Sequence, residues 1–125
     1  MAGRREIMQV ELFGFKWRIR EVSKEELEEA VDKWVGDGEP SHGLCVPATR
    51  ELLVLEGFKE PFRALIVLHE LTHAADSILG PCTLDERQVH MVALFLAEVI
   101  CKNPQLVEYV RKAFREQELS ERGEG

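Results

Sequence analysis

The sequence predicts an α+β fold, a small antiparallel sheet packed on a helical half with a buried HExxH helix. Three observations predict it. Apolar residues alternate with period two in the segments before Leu55, and afterwards recur at helical spacing. The order is strands first, helices after. The most apolar helical segment carries His69-Glu70-Leu71-Thr72-His73 at its centre.

Each element has its own signal. Met8, Val10 and Leu12 alternate with polar residues, and after Gly14 the apolar Phe15, Trp17 and Ile19 alternate with Lys16, Arg18 and Arg20. Two short strands around a glycine turn follow from this period. Ser23-Lys24-Glu25-Glu26 has the capping-box form and opens a helix whose apolar stripe is Leu27, Ala30, Val31 and Trp34. Gly36-Asp37-Gly38 and Pro40 end that helix. Gly43 to Val46 and Leu52 to Leu55 read as two further strands joined by the turn Pro47 to Arg50. Leu52 to Leu55 is the candidate edge strand for an extended substrate to pair with.

Pro61 suits the first position of a helix, and Phe62 to Leu79 is apolar on nearly every side, which predicts a buried central helix. Gly80-Pro81 stops it as a left-handed cap followed by a breaker. Thr83 is the expected cap of the next helix, with the stripe Val89, Val92, Ala93, Leu96 and Ile100. Asn103-Pro104 opens a last helix carrying Leu106, Val107, Val110 and Phe114. One domain over residues 1–115 and a polar, fraying tail over 116–125 are expected.

Composition excludes several functions. The 125 residues fit one domain, with a net charge of −7 from 16 Lys+Arg and 23 Asp+Glu. So acidic a surface argues against an electrostatic grip on nucleic acid or on an anionic membrane. No apolar run approaches the roughly 20 residues that span a bilayer, and Met1 to Glu6 lacks the apolar core of a secretion signal. Cys45, Cys82 and Cys101 are odd in number and form no CxxC pair. They suit neither a disulfide framework nor a cysteine zinc site, and a reducing cytoplasm is the expected compartment.

HExxH carries the chemistry. Residues four apart on a helix point the same way, so His69 and His73 can hold one metal ion. Zinc suits two imidazoles. Glu70 lies about 100° round the helix from His69, near the metal without ligating it, where a general base for a metal-activated water belongs. The apolar run Ala64 to Leu68 carries these groups toward the core, where polar side chains without partners are costly.

The third ligand stays open among Glu86, His90 and Asp85. A glycine three residues and a histidine six residues after His73 would mark a metzincin, but Asp76 and Leu79 stand there. Glu86 shares the inward stripe of Val89 and Ala93, yet Thr83-Leu84-Asp85-Glu86 is itself a capping box. In a tight antiparallel helix pair the residue facing His73 falls nearer position 90 than 86. Asp85 is favoured by the helix N-terminus but sits further round. If Glu86 binds, His90 one turn on can act as a supporting group or donate to the reacting oxyanion.

His69 to Ala74, HELTHA, resembles the active-site helix of thermolysin-type gluzincins, in which a glutamate on a later helix completes a His2Glu zinc site. Gly43 to Leu55 (GLC, five residues, RELLVL), then LHELTHAAD, then LDERQVHMVALFLAEVI followed by NPQL, is more closely similar to small HExxH proteins of phages and mobile elements. Those are zincin-like metallopeptidases distantly similar to the ImmA/IrrE type. The resemblance runs from about Val10 to Phe114. It implies a minimal zincin-like domain, a Zn²⁺ cofactor, Glu86 as third ligand beside His69 and His73, and Glu70 as the catalytic base. The implied function is a zinc-dependent metallopeptidase acting on a dedicated protein or peptide substrate. The alternative from another class is a zinc-stabilised binding or structural module without turnover.

Other residues have plainer readings. Asp76, one turn past His73, either orients a ligand imidazole or is a polar residue near a helix end. His42 could reach the edge of a site, but a solvated loop histidine is the plainer reading. Tyr109 reads as an amphipathic helix-face residue, Cys45 and Cys82 as inert thiols, and Trp17 and Trp34 as core. The run of Glu25, Glu26, Glu28 and Glu29 reads as a solvated face.

Overall fold

Phe13 and Gly14 both take positive φ, 52° and 85°, which gives the two-residue turn whose twist matches a β-hairpin. Around it β1 (Arg5–Leu12) pairs antiparallel with β2 (Phe15–Val22). A computed structural model of the chain describes residues 5–36, 42–80 and 83–121. The elements that follow the hairpin are α1 (Lys24–Trp34), β3 (Gly43–Val46), β4 (Glu51–Leu55), α2 (Phe62–Leu79), α3 (Glu86–Lys102) and α4 (Pro104–Glu121). The chain divides into two compact units, Met1–Ala93 and Leu94–Gly125.

In the first unit the four strands form one sheet in the order β1-β2-β4-β3. The expected antiparallel sheet is instead mixed, because β4 runs parallel to β2. Parallel neighbours need a long connection, and the stretch containing α1 separates β2 from the β3–β4 hairpin. This order also overturns the expected edge strand. β4 is paired on both sides, so β1 and β3 are the edges.

Period-two alternation sorts the core onto the two faces of the sheet. Trp17, Ile19, Leu52 and Val54 point to one face, where Ile66 and Ala74 of α2 complete a cluster. Val22, Val46 and Leu53 point to the other, where Leu27 of α1 joins them. The sheet therefore lies between α1 and α2. Ser23 caps α1 as its motif predicts, its hydroxyl accepting from the Glu26 N–H at 3.2 Å. Trp34 departs from expectation. It is 42% exposed, beside the Lys33 ammonium, while Trp17 is core.

α2 spans the predicted residues but is not enclosed on every side. Glu70, Thr72 and Ala74 are buried, whereas His69 and His73 are only half-buried. Gly80 stops it in an extended conformation (φ −144°) rather than as a left-handed cap, its N–H donating to the Asp76 carbonyl.

In the second unit, α4 continues to Glu121, through the first part of the segment read as a polar tail. Backbone bonds from Leu106 and Val107 to the Asn103 carbonyl start it where Asn103-Pro104 predicts. Its apolar stripe is not core. Leu106, Val110 and Phe114 are exposed, as are Phe95 and Ile100 of α3.

Candidate metal centre

α2 packs on β3 and β4, which sets the HExxH motif against the edge of the sheet. One turn of helix separates His69 and His73, whose ring centroids lie 5.1 Å apart. Glu86 is the first residue of α3 and joins both rings. Its Oε2 lies 2.9 Å from His69 Nε2 and its Oε1 2.8 Å from His73 Nε2. The three potential ligand atoms all lie within 4.8 Å of one another.

Two features put Glu86 there. The Asp76 carboxylate accepts the backbone N–H groups of Thr83 at 3.2 Å and Leu84 at 3.1 Å, tying the chain entering α3 to the last turns of α2. Asp85 and Gln88 then close a reciprocal capping box. Asp85 Oδ1 accepts from the Gln88 N–H at 2.8 Å, and Gln88 Oε1 from the Asp85 N–H at 2.9 Å. The cap is thus Asp85 rather than Thr83, and the helix starts later than its first capping signal. That frees Glu86 from a capping role and occupies Asp85. Glu86 is also not buried on the inward stripe. Its side chain is 75% exposed and bends back to the imidazoles. His90 stays outside the trio, its ring centroid 6.3 Å from that of His69. α2 ends at Leu79 and α3 begins only at Glu86, a longer connection than a tight hairpin, so position 86 rather than 90 meets His73.

The donor set fits zinc. Two imidazole nitrogens and one carboxylate oxygen are the donor types of catalytic zinc sites, where three protein ligands hold the ion. Bonds of about 2.0–2.2 Å would need these atoms a few ångströms apart, which is the arrangement the side chains already hold.

Glu70 is buried beside the trio. Burial first, and the nearby Glu86 charge second, push its carboxyl up to about 8. The Gly43 backbone closes over it. A Cβ at that position would lie 3.1 Å from both Glu70 Cγ and Oε2.

Two cavities meet at these residues. One of about 500 Å³ is lined by Gly43, Leu44 and Cys45 of β3 together with His69, Glu70, His73 and Glu86. Another of about 280 Å³ is lined by His42, Phe62, Leu65 and Ile66 together with His69, Glu70, Glu86 and His90. No lysine or arginine lines either among the described residues.

The structure thus brings His69, Glu70, His73 and Glu86 together and leaves His90 and Asp85 out of the ligand group. Asp76 acts on the α2–α3 connection rather than on an imidazole. Cys45 lines a cavity without joining the ligand group, and Cys82 lies outside the described residues. Tyr109 belongs to the second unit and is 70% exposed. Reading the sequence alone overlooks Gly43 and the Asp85–Gln88 box. The second was visible as D-x-x-Q, whereas Gly43 depends on a contact far away in sequence. No protein-family model, curated protein or solved structure matches the chain. Among the described residues no helix is long and apolar enough to cross a membrane.

Proposed function

We infer that the chain is a zinc-dependent metallopeptidase with His69, His73 and Glu86 as zinc ligands and Glu70 as general base. One observation carries this reading: a carboxylate from a second helix meets both Nε2 atoms of an HExxH helix, with the intervening glutamate buried alongside. When bound, zinc polarises the scissile carbonyl and lowers the pKa of a water toward about 7. Glu70 would release its proton more readily beside a bound cation, since a nearby positive charge favours the carboxylate.

Glu70 then takes one proton from the attacking water as its oxygen bonds to the carbonyl carbon. The carbonyl π pair moves onto oxygen. When it returns, the C–N bond breaks and Glu70 delivers its proton to the departing nitrogen, leaving an acid and an amine. The substrate this arrangement suits is an extended peptide. Among the described residues β3 is an outer strand of the sheet and lines the larger cavity, so strand addition shifts from β4, as first expected, to β3. A reducing cytoplasm remains the compartment that suits its cysteines.

Glu70→Gln tests the reading. The variant should bind zinc as wild type does and lose hydrolysis of a proteome-derived peptide library followed by mass spectrometry. Retained cleavage would remove Glu70 from the mechanism. The exposed apolar side chains of the second unit, Phe95 and Phe114 among them, favour the second reading, a zinc-stabilised module that binds a partner without turnover. A large fall in melting temperature on chelation, with no cleavage of that library, would support it.

A further inference from the structure

We propose that His42 is a catalytic residue of this site, donating a ring N–H to the substrate carbonyl oxygen as that oxygen gains negative charge. The inference rests on the peptidase reading above and adds a group that neither the motif nor the ligand trio contains.

His42 is exposed, yet its backbone and its ring both have partners. Its carbonyl accepts the Leu55 N–H at 2.8 Å, extending the β3–β4 pairing by one residue. Its imidazole stands edge-on to two phenylalanines, with centroids 5.0 Å from Phe58 and 5.3 Å from Phe62. Those two rings are themselves 5.0 Å apart, so the three form one packed cluster. The next residue, Gly43, lies against the Glu70 carboxylate. Backbone and ring are therefore both held, and the backbone runs past the general base.

Position supports the role. The 280 Å³ cavity is lined by His42 together with His69, Glu70 and Glu86. A carbonyl brought to Glu70 through this cavity shares it with His42. Among the described residues no lysine or arginine lines the cavity, so the side-chain donors available to a developing oxyanion there are imidazole N–H groups. His90 lines the same cavity and both histidines are exposed, but among the described residues the only ring near His90 is that of His69, tilted and 6.3 Å away, whereas His42 is packed against two phenylalanines. Donors act on transition states to the extent that they are fixed beforehand, and of the two His42 has the more packing partners.

His42→Phe keeps a ring against Phe58 and Phe62 and removes the N–H, while His42→Gln restores a donor. The probe is a doubly blocked Ala-Ala analogue with a phosphinate in place of the amide, titrated calorimetrically into zinc-loaded protein. His42→Phe should bind it at least about tenfold more weakly than wild type, and His42→Gln should recover part of the loss. Both should keep wild-type zinc affinity, measured by chelator competition. Equal probe affinity in His42→Phe and wild type would overturn the role of His42 alone. Zinc uptake unchanged by His73→Ala, or wild-type protein that takes up zinc but not the probe, would overturn the peptidase reading beneath it.

Discussion

Gly43 and Glu70 are in contact although 27 positions separate them in the chain, and the contact leaves no room for a side chain on Gly43. A Cβ there would also fall 2.6 Å from the Leu53 carbonyl oxygen on the neighbouring strand. The edge strand and the buried carboxylate are thus fitted to each other through a missing methyl group. Gly43→Ala should cost about 1–3 kcal/mol of stability in urea unfolding, since the backbone must move to admit the methyl. Wild-type stability in that variant would mean that β3 is free to retreat from Glu70.

Glu86 holds its place by reaching both imidazoles. Glu86→Ala leaves a two-histidine site, and zinc affinity measured by competition with a chromogenic chelator should drop by about a hundredfold or more. His90→Ala should leave it nearly unchanged. The opposite order of effects would make His90 the third ligand.

Asp76 acts at a distance from the metal. Its two acceptor bonds to Thr83 and Leu84 vanish in Asp76→Ala, stranding two backbone donors at the start of α3. Stability should fall by about 1–3 kcal/mol. Zinc affinity should fall as well, by about tenfold, because Glu86 loses its anchor, and by less than in Glu86→Ala. Intact zinc affinity beside lowered stability would uncouple this connection from the site.

The buried Glu70 carboxyl gives the metal-free chain a pH signature. Its folded value is about 8, against an ordinary 4.5. Below the lower value both folded and unfolded chains hold the proton. Between the two values the unfolded chain has released it and the folded one has not, so stability declines as pH rises through this window and levels off above it. Glu70→Gln does not titrate. Its melting temperature in chelator should therefore gain on wild type between about pH 5 and about pH 8.5. A difference that stays constant across that range would refute the shift.

Local chemistry was legible and long-range placement was not. The Gly14 hairpin, the Ser23 cap and the span of α2 each depend on neighbours a few residues away, and period or capping signals mark all three. The strand order depends on which pairings the core selects, so the parallel β2–β4 ladder and the edge position of β3 carry no local mark. The candidate site divides in the same way. His69, Glu70 and His73 are a local motif on one helix. Glu86 reaches them through Asp76 bonds and an Asp85–Gln88 cap, and an idealised helix hairpin favours His90 instead. His42 is exposed, as it reads, and its packing against Phe58 and Phe62 carries no local mark. Trp34 and the α4 stripe show the converse, apolar spacing that does not end in burial.

His73 and Glu86 stand 13 positions apart on two helices, and an ion bound to both would close the intervening chain into a ring. Closing a loop of that size removes conformational freedom from the unfolded chain, as a covalent cross-link does. Zinc would then serve this small fold as a removable clasp as well as a reagent. Its withdrawal would loosen first the start of α3 that carries Glu86, and a protease added with chelator should make its earliest nick from Thr83 onward.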